Sequence, residues 1–365
     1  MRFLILFLVC SSYCFSQNTY VPDDNFEQAL IDLGVDSGPL DDFVPTAMIN
    51  TLTYLNISEL NISDLTGIED FAALDHLDVY INDLQTLDVS NNQQLRLLRC
   101  YQNDLTNLTL GSNATLEQVW TYDNFLTTID VSGLPNLDRL SIINNDLLAL
   151  DVTNNLLLRL LWCYDNDIPV LDVSNNSLLE LLWCSGNDIE SLNLSNSLNL
   201  NTLLCHQNDI TSLDVSSNSL LTYLSCYSNE LTSLNVKNGN NTNVTNFQAN
   251  SNPNLNCIEV DDATYSEANW SNIDFGTSFN GDCDNLSVDE FLVDQIQVFP
   301  NPTSDIITIQ NLNGQSFYYE LYDASGKELM KTNLNAIDVS NLNSGMYFLK
   351  IISNSSILTK KVIKI

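Results

Sequence analysis

Apolar and polar positions repeat along the middle of this chain with a period of 21 residues. The phrase Leu-Asp-Val-Ser-Asn-Asn opens at Leu87, with degenerate copies at Leu108, Ile129, Leu150, Leu171, Leu192, Leu213 and Leu234. Between copies runs a second phrase, first written as Leu95, Leu98, Cys100, Asn103, Asp104 and Leu105. Its asparagine returns as Asn124, Asn145, Asn166, Asn187, Asn208 and Asn229. A fixed period of this length marks a solenoid, in which each coil buries its apolar side only against its neighbours. The run Leu98-Arg99-Cys100-Tyr101 alternates, so it reads as a short strand with Leu98 and Cys100 facing the core and Arg99 and Tyr101 facing solvent. Equivalent strands are expected to stack in parallel, about 4.8 Å apart. The Leu87-Asp88-Val89 arm reads as a second, shorter extended stretch closed by a Ser-Asn turn, with Asp88 outward. So short a period leaves little room for a full helix on the back of each coil.

These residues resemble the leucine-rich repeat family, whose Leu-x-x-Leu-x-Leu-x-x-Asn-x-Leu signature they match with Cys often replacing the middle leucine. The resemblance implies that the asparagines stack as a ladder, each bonding backbone groups that would otherwise be buried unpaired. Around the array the sequence divides further. Residues 1–16 read as a secretory signal peptide, residues 17–64 as an N-terminal cap and first irregular coil, and residues 65–252 as the repeats. A short helix is expected from Asp23 to Ile31, ending at Gly34. Residues 253–283 read as a C-terminal cap whose Tyr265, Trp270, Phe275 and Phe279 cover the last coil, and 284–293 as a linker. From residue 294 the period is gone, and alternating segments between Asn/Gly turns indicate a small antiparallel β-sandwich. Pro300-Asn301-Pro302, the strand containing Gly345 and Tyr347, and the basic end containing Lys360 and Lys361 together resemble the C-terminal sorting domain of the type IX secretion system. That resemblance implies export through the outer membrane and handling by the type IX machinery.

Charge narrows the partners. The chain carries 46 acidic and 12 basic residues, and residues 17–283 hold 37 of the acids against five basic residues. Such a surface repels nucleic acid and anionic lipid, and no stretch after the signal peptide is apolar enough to span a membrane. The acidity serves solubility or a preference for divalent cations or basic partners. Stacked carboxylates recur at Asp88, Asp130, Asp151, Asp172 and Asp214, and again at Asp104, Asp146, Asp167, Asp188, Asp209 and Glu230. Calcium would relieve their repulsion, although no calcium loop motif is present, and no other cofactor or metal site is indicated. Cys100, Cys163, Cys184, Cys205 and Cys226 fall at the inward repeat position and read as small buried hydrophobes. Cys257 and Cys283 lie outside the array and are expected to form the disulfide of an exported protein.

Outward strand positions carry the candidate binding residues. One row contains Arg99, Trp120, Trp162 and Trp183, the other Tyr101, Tyr122, Tyr164, His206 and Tyr227. Exposed aromatics at regular spacing mark interaction surfaces and suit sugar rings, and they also stabilise sheets by cross-strand stacking. Beside them Arg96, Glu117, Asp138, Arg159 and Glu180 read as a mixed-charge ladder. The two histidines, His76 and His206, have no nucleophile motif beside them, and an open sheet is expected to lack the cleft that catalysis needs. The sequence therefore points to a secreted or surface-attached binding protein for a protein or glycan. A polysaccharide-binding accessory protein and a structural surface protein are the alternatives, with a hydrolase using ladder carboxylates well behind.

Overall fold

The computed structural model describes residues 17–283, 296–311, 318–352 and 357–365. The expected signal peptide and linker lie outside them. The chain divides into two compact units, residues 1–281 and 282–365. The first is built on a ten-stranded sheet with every neighbouring pair parallel. Its strands are three residues each, from Tyr54–Asn56 through Leu97–Arg99, Gln118–Trp120, Arg139–Ser141, Leu160–Trp162 and Leu181–Trp183 to Asn246–Gln248. Register advances by one repeat per strand, so Leu98, Val119, Leu140, Leu161, Leu182 and Leu203 share one row, all fully buried. The second arm is extended, as expected. It pairs as Thr86–Asp88 with Asn107–Thr109, and again from Ser212–Asp214 through Ser233–Asn235 and Cys257–Glu259 to Ser278–Asn280.

Two asparagine ladders hold the coils together. In the first, Asn187 accepts from the Ile168 backbone N–H at 3.0 Å and donates to the carbonyls of Cys163 and Cys184 at 3.0 and 3.1 Å. Asn103, Asn124, Asn145, Asn166, Asn208, Asn229 and Asn252 repeat the arrangement. The second ladder was hidden in the Ser-Asn-Asn phrase. Asn155 and Asn176 are fully buried, and each donates to two carbonyls of the preceding coil. Asn92, Asn113 and Asn218 do the same. Each of these amides takes up carbonyls that the tight backbone turns leave inside without a partner. The turn after each long-sheet strand needs one left-handed residue. Gln102, Asp123, Asn144, Asp165, Gln207 and Ser228 all have φ near +50°, as does the β-branched Ile81. The five inward cysteines are free and fully buried. Burial pushes the thiols of Cys100, Cys163 and Cys226 up to about 12, and those of Cys184 and Cys205 well above their ordinary value.

The ends are sealed differently. A helix over Asp24–Asp32 is capped by Asp23, whose carboxylate accepts from the N–H groups of Asn25 and Phe26. Its Phe26 and Leu30 are fully buried, and Phe26 stacks on Phe71 of the first coil. At the other end Trp270 stacks on Phe247 at 4.1 Å and meets Phe279 edge-on. Phe275 does not join them. It is fully exposed in a turn before Gly276, whose φ of +97° swings the chain outward. Cys257 and Cys283 are disulfide-bonded.

The second unit is a sandwich of a three-stranded and a four-stranded antiparallel sheet. Its core holds Ile307, Ile309, Tyr319, Leu321, Leu349, Ile351 and Val362. Asn301 ties the entry segment to the final strand. Its amide donates to the Lys361 carbonyl at 2.7 Å, and its oxygen accepts from the Ile363 N–H at 2.8 Å. Pro300 and Pro302 flank it, both after cis peptide bonds. Gly345 opens the long strand Gly345–Ile352, and Tyr347 is buried there with its hydroxyl donating to the Asn343 carbonyl. Lys360 and Lys361 lie opposite Leu349 and Phe348 on the terminal strand.

Candidate functional site

Parallel in-register strands place equivalent outward side chains one rung apart, so aromatics at the same repeat position must stack or part. Tyr80, Tyr101 and Tyr122 stack in one column, with ring centroids 4.6 and 4.2 Å apart and planes within 9°. Tyr80 lies in the irregular region before the strict period, which is why the sequence pattern did not include it. The column stops at Ile143, where the repeat carries no ring. Beyond it Tyr164 stacks on Trp183 at 4.2 Å, and further along His206 stacks on Tyr227 at 4.4 Å. In the neighbouring row Ser141 interrupts the tryptophans, and Trp120 and Trp162 lean toward each other across it, 5.5 Å apart. The rings are therefore half-buried rather than fully exposed, each pair contributing about 0.5–1.5 kcal/mol beyond its buried area.

The interruption makes a cleft where an open sheet was expected. Ser141 and Ile143 sit where the flanking repeats carry rings, leaving a depression of about 430 Å³. It is lined by Trp120, Tyr122, Asp123, Ser141, Ile143, Trp162, Tyr164 and Trp183. Five of the nine expected binding residues line it. Arg99 is held away by Asp78 at 3.3 Å, and Tyr101, His206 and Tyr227 belong to the columns on either side. Ser141, Ile143 and Asp123 were missed because nothing but their position between ring-bearing repeats distinguishes them. Ser141 is 1% exposed and its hydroxyl has no hydrogen-bond partner; the Trp120 indole nitrogen is likewise buried and unpartnered. Asp123 stands in the left-handed turn position, and its carboxylate accepts from the Asn144 amide at 2.8 Å.

Burial sets the ionisation of the ring-bearing residues. It pushes the Tyr122 phenol up to about 12, helped by neighbouring Tyr101, and raises Tyr101 and Tyr164 as well. It lowers His206 from its ordinary value, against a smaller opposing pull from Asp165. His206 Nδ1 lies 3.3 Å from the hydroxyl of Ser225, which donates to Gln248. Ser225 is 1% exposed, so this oxygen is closed to a substrate. The charge ladder forms as expected, with Arg159 donating to Asp138 at 2.6 Å and to Glu180 at 3.3 Å, and Arg96 between Asp75 and Glu117. The Arg159 guanidinium holds the Asp138 carboxyl below the usual carboxylate range.

The stacked acids of the second arm have a local use. Asp88, Asp130, Asp151, Asp172 and Asp214 each accept the N–H of the residue two ahead, closing a turn. Hydroxyls of Ser132, Thr153 and Ser174 lower Asp130, Asp151 and Asp172 accordingly. Among the described residues, the acids close enough to share an ion are Asp24, Glu27 and Asp42, which belong to neither ladder. Glu27 spends both oxygens on the N–H groups of Asp41 and Asp42.

Comparison with known proteins agrees with both units. Residues 297–365 match the family model described as the secretion system C-terminal sorting domain. The functional domain of InlJ from Listeria monocytogenes, which includes a cysteine ladder, is 32% identical with a TM-score of 0.61. That match covers 73% of this chain and 62% of the InlJ chain, so less than two thirds of InlJ is represented. A TDR receptor shares the fold at 17% identity and a TM-score of 0.51, over 64% of this chain and 49% of its own. No curated protein matches the chain. The sorting domain marks the chain for export by type IX secretion to the cell surface or the extracellular space. Among the described residues no helix is long and apolar enough to cross a membrane.

Proposed function

We propose that this chain, a leucine-rich-repeat solenoid joined to a type IX secretion sorting domain, is an extracellular binding or adhesion protein that captures a protein or glycan on its aromatic sheet face. The observation that carries this reading is the cleft between the ring-bearing repeats. Three of the chain's four tryptophans line it, while the fourth, Trp270, is spent on the cap. Packing alone would be served by an unbroken column, such as Tyr80 to Tyr122 forms. The break at Ser141 and Ile143 instead leaves ring faces turned to solvent beside two buried polar atoms that lack partners. Aromatic anchors in a concave, mostly apolar depression are how binding sites concentrate their free energy. Catalysis has no comparable support, because the one histidine–serine pair on the sheet is closed and hydrogen-bonded elsewhere.

The test is saturable binding of the full chain to panels of surface proteins and oligosaccharides, with a Trp120→Ala/Trp162→Ala/Trp183→Ala variant run beside it. Loss of binding in a variant that keeps its circular dichroism spectrum supports the sheet face. Binding that survives the triple substitution moves the site elsewhere, and the absence of any saturable ligand favours a structural surface protein.

A further inference from the structure

We infer that the cleft takes a cationic side chain, foremost an arginine guanidinium presented by a basic partner protein, with Asp123 as its counter-ion. This rests on the sheet-face reading above and names the chemistry of the partner. Two observations converge on it. Five of the eight lining residues are aromatic, and ring faces attract cations, most strongly when the cation is drawn out of water. Trp120, Trp162, Trp183 and Tyr164 surround a space of about 430 Å³, roomy enough for a planar guanidinium and its stem. Arginine fits better than lysine, because its flat, weakly hydrated head stacks on an indole.

The charges around the cleft supply the second argument. The four arginines of the repeats are already engaged, Arg96 by Asp75 and Glu117, Arg99 by Asp78, and Arg139 and Arg159 by Asp138. Asp123 stands at the cleft, and among the described residues no basic group pairs with it; its partner is the neutral Asn144 amide. A neutral sugar can donate hydroxyls to that carboxylate, but it gains no charge attraction from residues 17–283, which hold 37 acids against five bases. The surrounding acidity would speed encounter with a basic surface, while the cleft chooses which side chain is seated.

The experiment titrates the full chain, followed by tryptophan fluorescence, with an N-acetylated Gly-Arg-Arg-Gly peptide amide, its neutral citrulline isostere and a neutral cello-oligosaccharide. The arginine peptide is expected to give saturable quenching that weakens at high salt. The citrulline peptide should bind about tenfold or more weakly, and Asp123→Asn should lower arginine-peptide affinity by a similar factor. Asparagine is well tolerated in the left-handed conformation at this position, so the variant keeps the turn. Removing one charge from so acidic a unit barely alters diffuse attraction, so a tenfold loss reports the cleft itself. Equal binding of the citrulline peptide, or full affinity in Asp123→Asn, overturns the inference. Oligosaccharide quenching that persists in Asp123→Asn but disappears in Trp162→Ala overturns it too, while leaving the sheet-face reading intact. Arginine-peptide affinity that is unchanged in Trp162→Ala overturns both.

Discussion

Replacing Asn187 by alanine removes one rung of the first ladder, and the structure sets the size of the loss. Ile168 is fully buried, and its N–H has the Asn187 oxygen as acceptor at 3.0 Å. Leaving that donor unpaired costs about 1–3 kcal/mol. The carbonyls served by Asn187 fare better, and the weakest held of them, that of Ser185, keeps the Asp165 N–H at 2.9 Å. The Cys163 oxygen keeps the Asn166 amide at 3.2 Å, and the Cys184 oxygen keeps the Asn208 amide at 3.0 Å. Each should cost no more than about 0.5–1 kcal/mol. The total is roughly 2–5 kcal/mol, concentrated in neighbouring coils because each coil contacts only the next. Urea unfolding followed by tryptophan fluorescence measures the loss, with Asn175→Ala as control. Asn175 is exposed and its amide donates to the Thr153 carbonyl at 3.2 Å, so its removal should change stability by less than about 0.5 kcal/mol. Faster hydrogen exchange at the Ile168 amide would locate the damage. Equal, small losses in both variants would refute the view that the ladder stabilises by pairing buried backbone.

Three other outcomes follow from the same structure. Ile81 holds a φ of +55° while 44% exposed, so Ile81→Asn should stabilise the solenoid by about 1 kcal/mol in the same urea assay. The buried thiols make the fold sensitive to alkali. Unfolded thiols ionise near 9 while folded Cys163 and Cys226 stay protonated to about 12, so their contribution is fully present below pH 9 and is lost as pH rises toward 12. Cys163→Val and Cys226→Val should flatten that decline, and in the native protein these thiols should be silent to Ellman's reagent until the chain unfolds. In the second unit, Asn301→Ala releases both bonds to the final strand, at about 1–3 kcal/mol. It should speed exchange at the Ile363 amide and lower export of a reporter fused to this domain.

The repeat pattern carried most of the architecture because a strict period makes each coil a copy of the last. Once Leu98 and Cys100 are placed inward, the register of the whole sheet follows. The second asparagine ladder escaped because Ser-Asn-Asn is also a good surface turn, and only the closeness of adjacent coils turns its final asparagine inward. The acids of the same phrase looked like an ion ladder for a related reason. Their carboxylates bond a backbone N–H two residues ahead, a local use that composition does not distinguish from ion binding. Phe275 was expected in the cap by its aromatic character alone, whereas the turn at Gly276 decides where it points. The aromatic rows were legible at their repeat positions, and the cleft was not. It depends on two adjacent outward positions that lack a ring between ring-bearing repeats, Ser141 and Ile143, and on the direction in which Trp120 and Trp162 lean.

The sheet face as the binding surface is tested most directly by fluorine NMR of the full chain labelled with 5-fluorotryptophan. Four tryptophans give four resonances, with buried Trp270 as an internal reference. Titration with whichever peptide, oligosaccharide or surface protein binds by calorimetry should shift the resonances of Trp120, Trp162 and Trp183 and leave Trp270 in place. Saturable heat with all four resonances unmoved, or with Trp270 alone displaced, would contradict the account.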